Sequence, residues 1–366
     1  SWVKKLKENQ ELSSHFYQKT GTPIHEMSPF AKIGYFQEKA WFHDVKKWTV
    51  MKEYLMTLFT GQRVIDYSTA SATGLFNSET MTWDEEILNY VSIKEEQLAR
   101  LVDTDWWTSI DESIAEELSL SKKTKIYIGA SDGCLASYAS FCANGTGNTV
   151  TIGTSGAVRK LSKTRQLDDK GQSFCYYVTP DYWVVGGATN NGGQAIEWAS
   201  DIFYEKSGVY ENIEVILKES PIGSKGIQFL PYLFGERAPL WSSEVTGEFS
   251  GLRLGHEKVD IIRSVIEGVL MNIRYIGEII SLEERLVSLS GGFFGDQILV
   301  ELTADILGKN CVVSPYCEPS YGLICLVTGT PMMRQTTTQK TFFNQINHEK
   351  YEKVYNEFVL KVKNER

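Results

Sequence analysis

Residues 150–162 read VTIGTSGAVRKLS. Two runs rich in β-branched and apolar residues, NTVTIG (148–153) and AVRKLS (157–162), flank the turn Gly153-Thr154-Ser155-Gly156. The runs predict a hairpin. An Asn-Gly pair would be enough to close one, but this turn carries two glycines and two hydroxyls. Glycine permits the positive φ that aims successive N–H groups inward, and such a nest holds an anion. The same residues also suit a plain hairpin with a polar tip, so the reading depends on what the rest of the chain brings to it.

Two more glycine turns follow predicted strands. YWVVGG (182–187) runs into GGATNNGGQAIEW (186–198), and LVSLSGG (286–292) runs into SGGFFGDQI (290–298). Each lets a nucleotide approach the backbone or is simply a flexible loop. Three such turns, each after a strand, strengthen the anion reading. KIYIGA (125–130) reads as a buried strand and CLASYASFCANG as a helix ending at Gly145. In 260–280, Ile261, Ile262, Val265, Ile266, Val269, Leu270 and Ile273 follow the helical period. WTVMKEYLMTLFTGQ places Met51, Tyr54, Leu55, Leu58 and Phe59 on one face of a helix stopped at Gly61, a face that needs a sheet to cover it. TWDEEIL starts another helix, with Thr82 as N-cap and Glu85 three residues on. Alternating strands and helices imply an α/β architecture.

At 366 residues, two domains are expected. The boundary falls in the polar ANGTGN (143–148), giving domains 1–145 and 146–366. The formal charge of −9 and the lack of a basic run argue against a nucleic-acid partner. No apolar run has the length of a membrane span. The six cysteines form no C-x-x-C pair and read as reduced, mostly buried thiols. A cytoplasmic location fits best.

Asp132, in IGASDGCLA, stands after a strand and before a helix. It reads as a helix N-cap, or as a general base at the carboxyl end of a strand. In GERAPLW (235–241), Arg237 suits a carboxylate or phosphate clamp, or a structural pair with Glu236. His25, in TGTPIHEMSP, suits a sugar hydroxyl or a surface loop.

In order and spacing, these segments resemble the FGGY carbohydrate kinases, from about residue 17 to 310. The resemblance is carried by DYSTASATGLFNSETMTWDEEIL (66–88), GASDG, TIGTSGAVR, FLPYLFGERAPLW followed by GEFSGL, RSVIEGV, and SGGFFGDQILVELTADILG. It implies an α/β, two-domain actin/hexokinase-like (ribonuclease H-like) fold. It also implies phosphoryl transfer from ATP, with Mg2+, to a primary hydroxyl of a small-molecule sugar or sugar acid. YQKTGTPIHEMSPFAKIGYF is most similar to the gluconate kinases; xylulokinase-like and glycerol-kinase-like members are the near alternatives. By the family's motifs, Asp132 is the catalytic base, and Gly153, Thr154 and Ser155 hold the transferring phosphate. Gly193, Gly292 and Asp296 flank the nucleotide, while His25 and Arg237 meet the acceptor. No residue is implied as a protein ligand to metal, and the resemblance allows a homodimer.

Two departures stand out. The family's first phosphate loop, Asp-x-Gly-Thr-x-Ser, is absent, which leaves the first domain incomplete at its N-terminus. Roughly 100 further N-terminal residues are therefore expected in the natural protein, and the 366-residue chain by itself is expected to be inactive. Against the family's Glu-Ser-x-x-Gly-Ala-Ala helix start, EPSYGLICLVTG (318–329) inserts Pro319 and replaces the small residues with Leu323 and Ile324, which puts packing beside the nucleotide in question. A non-catalytic relative of the same fold and a two-domain solute-binding protein are the rival classes.

Overall fold

The computed structural model describes residues 1–204, 208–282, 285–314, 318–329 and 339–364. The chain divides into two units: residues 1–142, 161–185 and 318–332 in one, and 143–160, 186–317 and 333–366 in the other.

The first unit opens with short helices. Helix α1 (Met51–Thr60) then leads through strand β1 (Val64–Asp66) into helices α2 (Tyr67–Ser71) and α3 (Glu85–Tyr90). β1 pairs in parallel with β2 (Arg100–Val102). β3 (Trp107–Ser109) pairs antiparallel with β4 (Lys125–Tyr127), and helix α4 (Asp132–Asn144) follows. With pairs this small, the core comes largely from helices and turns: Phe16, Phe30, Leu75, Phe76 and Ile87 are buried together.

The seven-stranded sheet begins with the predicted hairpin. β5 (Asn148–Ile152) and β6 (Gly156–Ser162) pair from Asn148–Lys160 to Ile152–Gly156. Next come β7 (Phe174–Thr179), β8 (Tyr182–Thr189), α5 (Gly193–Phe203), α6 (Lys258–Ile279) and β9 (Leu286–Ser290). α7 (Gln297–Leu307), β10 (Asn310–Val313), α8 (Pro319–Thr328) and β11 (Lys340–Thr341) complete the pass. The sheet order is β11-β10-β9-β5-β6-β8-β7. β9 is parallel to β5, with Ser290 opposite Thr151. The turns after β5 and β9 therefore emerge side by side at the carboxyl ends of parallel strands, where α/β sheets place their ligands. α6 buries Ile262, Val265, Ile266, Val269, Leu270 and Ile273. Each such side chain contributes about 1.5–3 kcal/mol by leaving water.

Several expectations are corrected. The α1 stripe of Met51, Tyr54, Leu55 and Leu58 faces solvent, at 73, 57, 41 and 48 % exposure. The helix buries Met56 and Glu53 instead, with the Arg63 Nε 2.7 Å from Glu53 Oε1. Periodicity marks an apolar stripe but not the element that covers it. Thr82 lies in a short strand; Asp84 caps α3, accepting from the Ile87 amide. The strand covers only Lys125–Tyr127, exposed to half-buried and paired with β3, while Ile128 and Ala130 beyond it are buried as expected. Leu323 packs within the first unit against Ala130, Cys134 and Leu135, whereas Ile324 is exposed. Cys134, Cys142, Cys175, Cys311 and Cys325 are buried thiols; Cys317 lies outside the described residues. Among the described residues no helix is long and apolar enough to cross a membrane.

Candidate active site

In the second unit the three glycine turns converge. The Gly193 amide donates to the Gly153 carbonyl at 2.7 Å, and the Gln194 amide donates to the Thr154 carbonyl at 3.1 Å. The Gly153 amide is engaged by the Ser155 carbonyl at 2.9 Å. Gly192 is needed for this approach: a Cβ there would stand 2.6 Å from the Ser155 carbonyl group. Gly291, at φ +102°, lies against the Ile152 carbonyl, where a Cβ would collide. The tip itself is open. Thr154 and Ser155 are exposed, and neither their amides nor their hydroxyls meet a protein partner among the described residues. A Cβ on Gly153 or Gly292 would meet nothing within 4 Å. Asp296 is exposed and caps α7, its Oδ1 accepting from the Ile298 amide at 3.0 Å.

The loop between β8 and α5 is held from beneath by Glu236, which is fully buried. Oε1 accepts from the amides of Asn190 (3.1 Å) and Arg237 (2.7 Å). Oε2 accepts from the Thr189 hydroxyl (2.6 Å) and from the side-chain amides of Asn191 (3.3 Å) and Asn272 (3.1 Å). Burial pushes the carboxyl up to about 7, against the pull of these donors. Glu236 is thus reached by the Arg237 amide, while the Arg237 guanidinium donates from Nη2 to the Thr189 carbonyl at 2.9 Å.

In the first unit Asp132 is exposed at the start of α4, and its Oδ1 accepts from the Gly133 amide at 2.7 Å. Ser131 stands before it, with its carbonyl taken by the Leu135 amide. The turn leading to Asp132 is gripped from two sides. Lys52 Nζ donates to the Ala130 carbonyl at 2.9 Å and to Asp66 Oδ2 at 2.6 Å. Ser68 Oγ accepts from the Ser131 amide at 3.1 Å. Asp66, wholly buried, also caps α2 by accepting from the Thr69 amide at 2.8 Å. His25 is buried rather than set on a surface loop. Its Nδ1 accepts from the Met27 amide at 3.3 Å, and its Nε2 is 3.5 Å from Glu26 Oε2.

The sequence reading missed Lys52, Ser68, Asn191, Asn272 and the anchoring role of Glu236. Asn272 carried a signal, being a lone amide among the apolar positions of a buried helix. Lys52 carried none, because its partner at Ala130 is 78 residues away. Among the described residues no three His, Cys, Asp or Glu side chains are grouped to hold a metal ion.

Glycine turns at the ends of parallel strands leave the hydroxyls and amides of Thr154 and Ser155 open as donors, a chemistry that suits an anion. The chain belongs to the FGGY family of carbohydrate kinases: residues 1–139 match the family's N-terminal domain and 148–323 its C-terminal domain. It is 36 % identical over 345 residues to a gluconokinase of Bacillus subtilis (strain 168), covering 89 % of this chain and 66 % of that protein. A xylulose kinase of Lactococcus lactis subsp. lactis (strain IL1403) is 28 % identical over 324 residues, covering 85 % of this chain and 64 % of that one. Among solved structures, gluconate kinase from Lactobacillus acidophilus superposes with a TM-score of 0.90 at 28 % identity, covering 99 % of this chain and 76 % of its own. The chain thus spans about two thirds of the length of the curated relatives it matches.

Proposed function

We propose that the protein belongs to an ATP-dependent kinase of a sugar acid, with gluconate as acceptor and 6-phosphogluconate as product. The convergence of the three glycine turns around an open Thr154–Ser155 tip carries the reading. Phosphoryl transfer asks the protein mainly to position the reactants and to balance charge on the transferring group. Thr154, Ser155 and their amides supply donors for it, and the openness at Gly153 and Gly292 leaves room for the nucleotide. Gly193 brings α5 against the turn, and Asp296 borders the same region. Asp132 takes the proton of the attacking hydroxyl. His25 and Arg237 serve the acceptor. Residues 1–145 carry the sugar side and 146–366 the nucleotide side. Mg2+ would arrive on the nucleotide phosphates, since the described side chains offer it no cage.

Gluconate is favoured by the 36 % identity to gluconokinases. Xylulose is the second reading, because a ligand-bound xylulose kinase from Lactobacillus acidophilus superposes with a TM-score of 0.91.

Replacing Asp132 by Asn, in the enzyme expressed from its complete coding sequence, tests the assignment. Asn retains a side-chain carbonyl for the Gly133 amide but removes the base. We expect kcat with gluconate to fall on the order of 10²–10⁴-fold at an almost unchanged melting temperature. Activity within threefold of wild type would overturn the role. A complex with ADP should place the phosphates at Thr154 and the ribose near Gly292; phosphates bound beside Arg237 instead would overturn this arrangement.

A further inference from the structure

We infer that Lys52, Asp66 and Ser68 form a positioning device for the general base, setting Asp132 through the backbone of the two residues before it. This rests on the proposed role of Asp132 and assigns what holds that carboxylate in place.

Asp132 lies on an exposed first turn of α4 and makes a single described side-chain bond, to its neighbour's amide. That bond does not fix where the carboxylate points in space. The preceding backbone does. Gly129, at φ +67°, turns the chain out of β4, and Leu323 closes that side: a Cβ on Gly129 would stand 2.9 Å from its Cδ1. The Ala130 carbonyl is then held by Lys52 and the Ser131 amide by Ser68, while Ser68 Oγ also lies 3.3 Å from Ser131 Oγ. Two helices, α1 and α2, therefore hold the two ends of one peptide group, the Ala130–Ser131 amide, immediately before Asp132.

A purely structural role would account for only part of this. Capping α2 requires Asp66 alone. A buried carboxylate requires a cation, and the Lys52–Asp66 contact at 2.6 Å provides one. Neither need explains the second Lys52 bond, to a carbonyl in another segment, nor the Ser68 bonds to Ser131. Both additional contacts converge on the residues before the base. A displacement of about 1 Å at a reacting group costs on the order of 10² in rate, so loss of these anchors should reach catalysis even though none of the three needs to touch substrate.

The test uses the enzyme from its complete coding sequence, with gluconate and ATP. Replacing Lys52 alone would strand the buried Asp66 charge, so the double variant Lys52→Met/Asp66→Asn is used: it removes both charges and keeps an acceptor for the Thr69 amide. Ser68→Ala removes the second anchor separately and leaves the ion pair intact. Both should lower kcat about 10- to 100-fold with KM for ATP and gluconate within threefold, and Lys52→Arg should restore most of the rate. A structural role alone predicts lowered melting temperature with kcat preserved in the folded fraction. If Asp132→Asn is inactive while Ser68→Ala and the double variant keep kcat within twofold, the positioning role is wrong and the base assignment survives. If Asp132→Asn stays active, the base assignment is wrong and the positioning role falls with it. Should the double variant not fold, Ser68→Ala decides by the same criteria.

Discussion

Replacing Glu236 by Gln should remove a specific pH dependence from the stability of the second unit. The carboxyl is fully buried, and burial pushes it up to about 7 from the usual glutamate value of 4.5. The folded protein therefore holds a proton that the unfolded chain has released. Stability from this group is fully present below about pH 4.5 and is lost as pH rises through about 7. A shift of that size corresponds to roughly 3 kcal/mol. The loss is bounded because all five partners are donors, and they continue to serve the carboxylate once it ionises.

Gln at 236 does not titrate, and its amide cannot accept from all five. With an NH2 group at the Oε2 position, the side-chain amides of Asn191 and Asn272 would face a donor, at about 1–3 kcal/mol for a stranded buried group. Relative to wild type, the variant should therefore gain roughly 3 kcal/mol of stability as pH rises from about 5 to about 8. Urea unfolding of both proteins across that range measures the difference, in which all shared titrations cancel. A difference constant to within about 1 kcal/mol, or one that moves against the variant as pH rises, would refute the reasoning, since either means that Glu236 is ionised throughout.

Gly192→Ala should force the hairpin and α5 apart, because the new methyl meets backbone at 2.6 Å at an ordinary φ of −103°. We expect at least tenfold weaker ADP binding by calorimetry and a loss of about 1–3 kcal/mol in stability, whereas Gly153→Ala, with open space around it, should leave the melting temperature unchanged. Arg237→Lys should lower kcat/KM for gluconate about tenfold more than for xylulose, since an ammonium cannot make the bidentate carboxylate contact. Equal losses would reduce Arg237 to a support for the Thr189 carbonyl.

What the sequence disclosed was mostly local. β-branched runs around Gly153–Gly156 specify a hairpin because strand propensity and turn chemistry act within a dozen residues. The long helix was legible because its apolar positions repeat at 3.6 over six turns. The cap of α3 went to Asp84 rather than Thr82 because a two-residue strand pairing, Phe76 with Trp83 and Asn77 with Thr82, uses the threonine first. The α1 stripe shows the other limit. Its period was read correctly, but which side faces the core was settled by the Glu53–Arg63 pair and by Met56, and neither outweighs four large apolar residues in a periodicity count. The turns of the candidate site were legible in their glycines, and their supports were not. Glu236 draws its donors from residues 189–191, 237 and 272, and no spacing rule connects those positions.

The way those supports are spent bears on how phosphate would be held. A glycine-rich loop leading into a helix ordinarily offers the ligand the free amides of the helix's first turn. Here the first two amides of α5, at Gly193 and Gln194, are already committed to the Gly153 and Thr154 carbonyls. The positive end of that helix is turned toward the hairpin and stabilises the carbonyls facing it. With its carbonyls drawn back toward α5, the turn is left with the amides and hydroxyls of Thr154 and Ser155 at its exposed side. The donors this motif would offer a transferring phosphate are then those of the hairpin tip, with α5 orienting the turn. This separates two classes of substitution. Thr154→Val keeps the backbone arrangement and removes one donor, so its effect should be confined to the phosphate. Gly192→Ala disturbs the α5–hairpin contact and should lose the whole arrangement at once, which is why the glycine with no room around it, rather than the exposed threonine, is expected to be the more costly position in the motif.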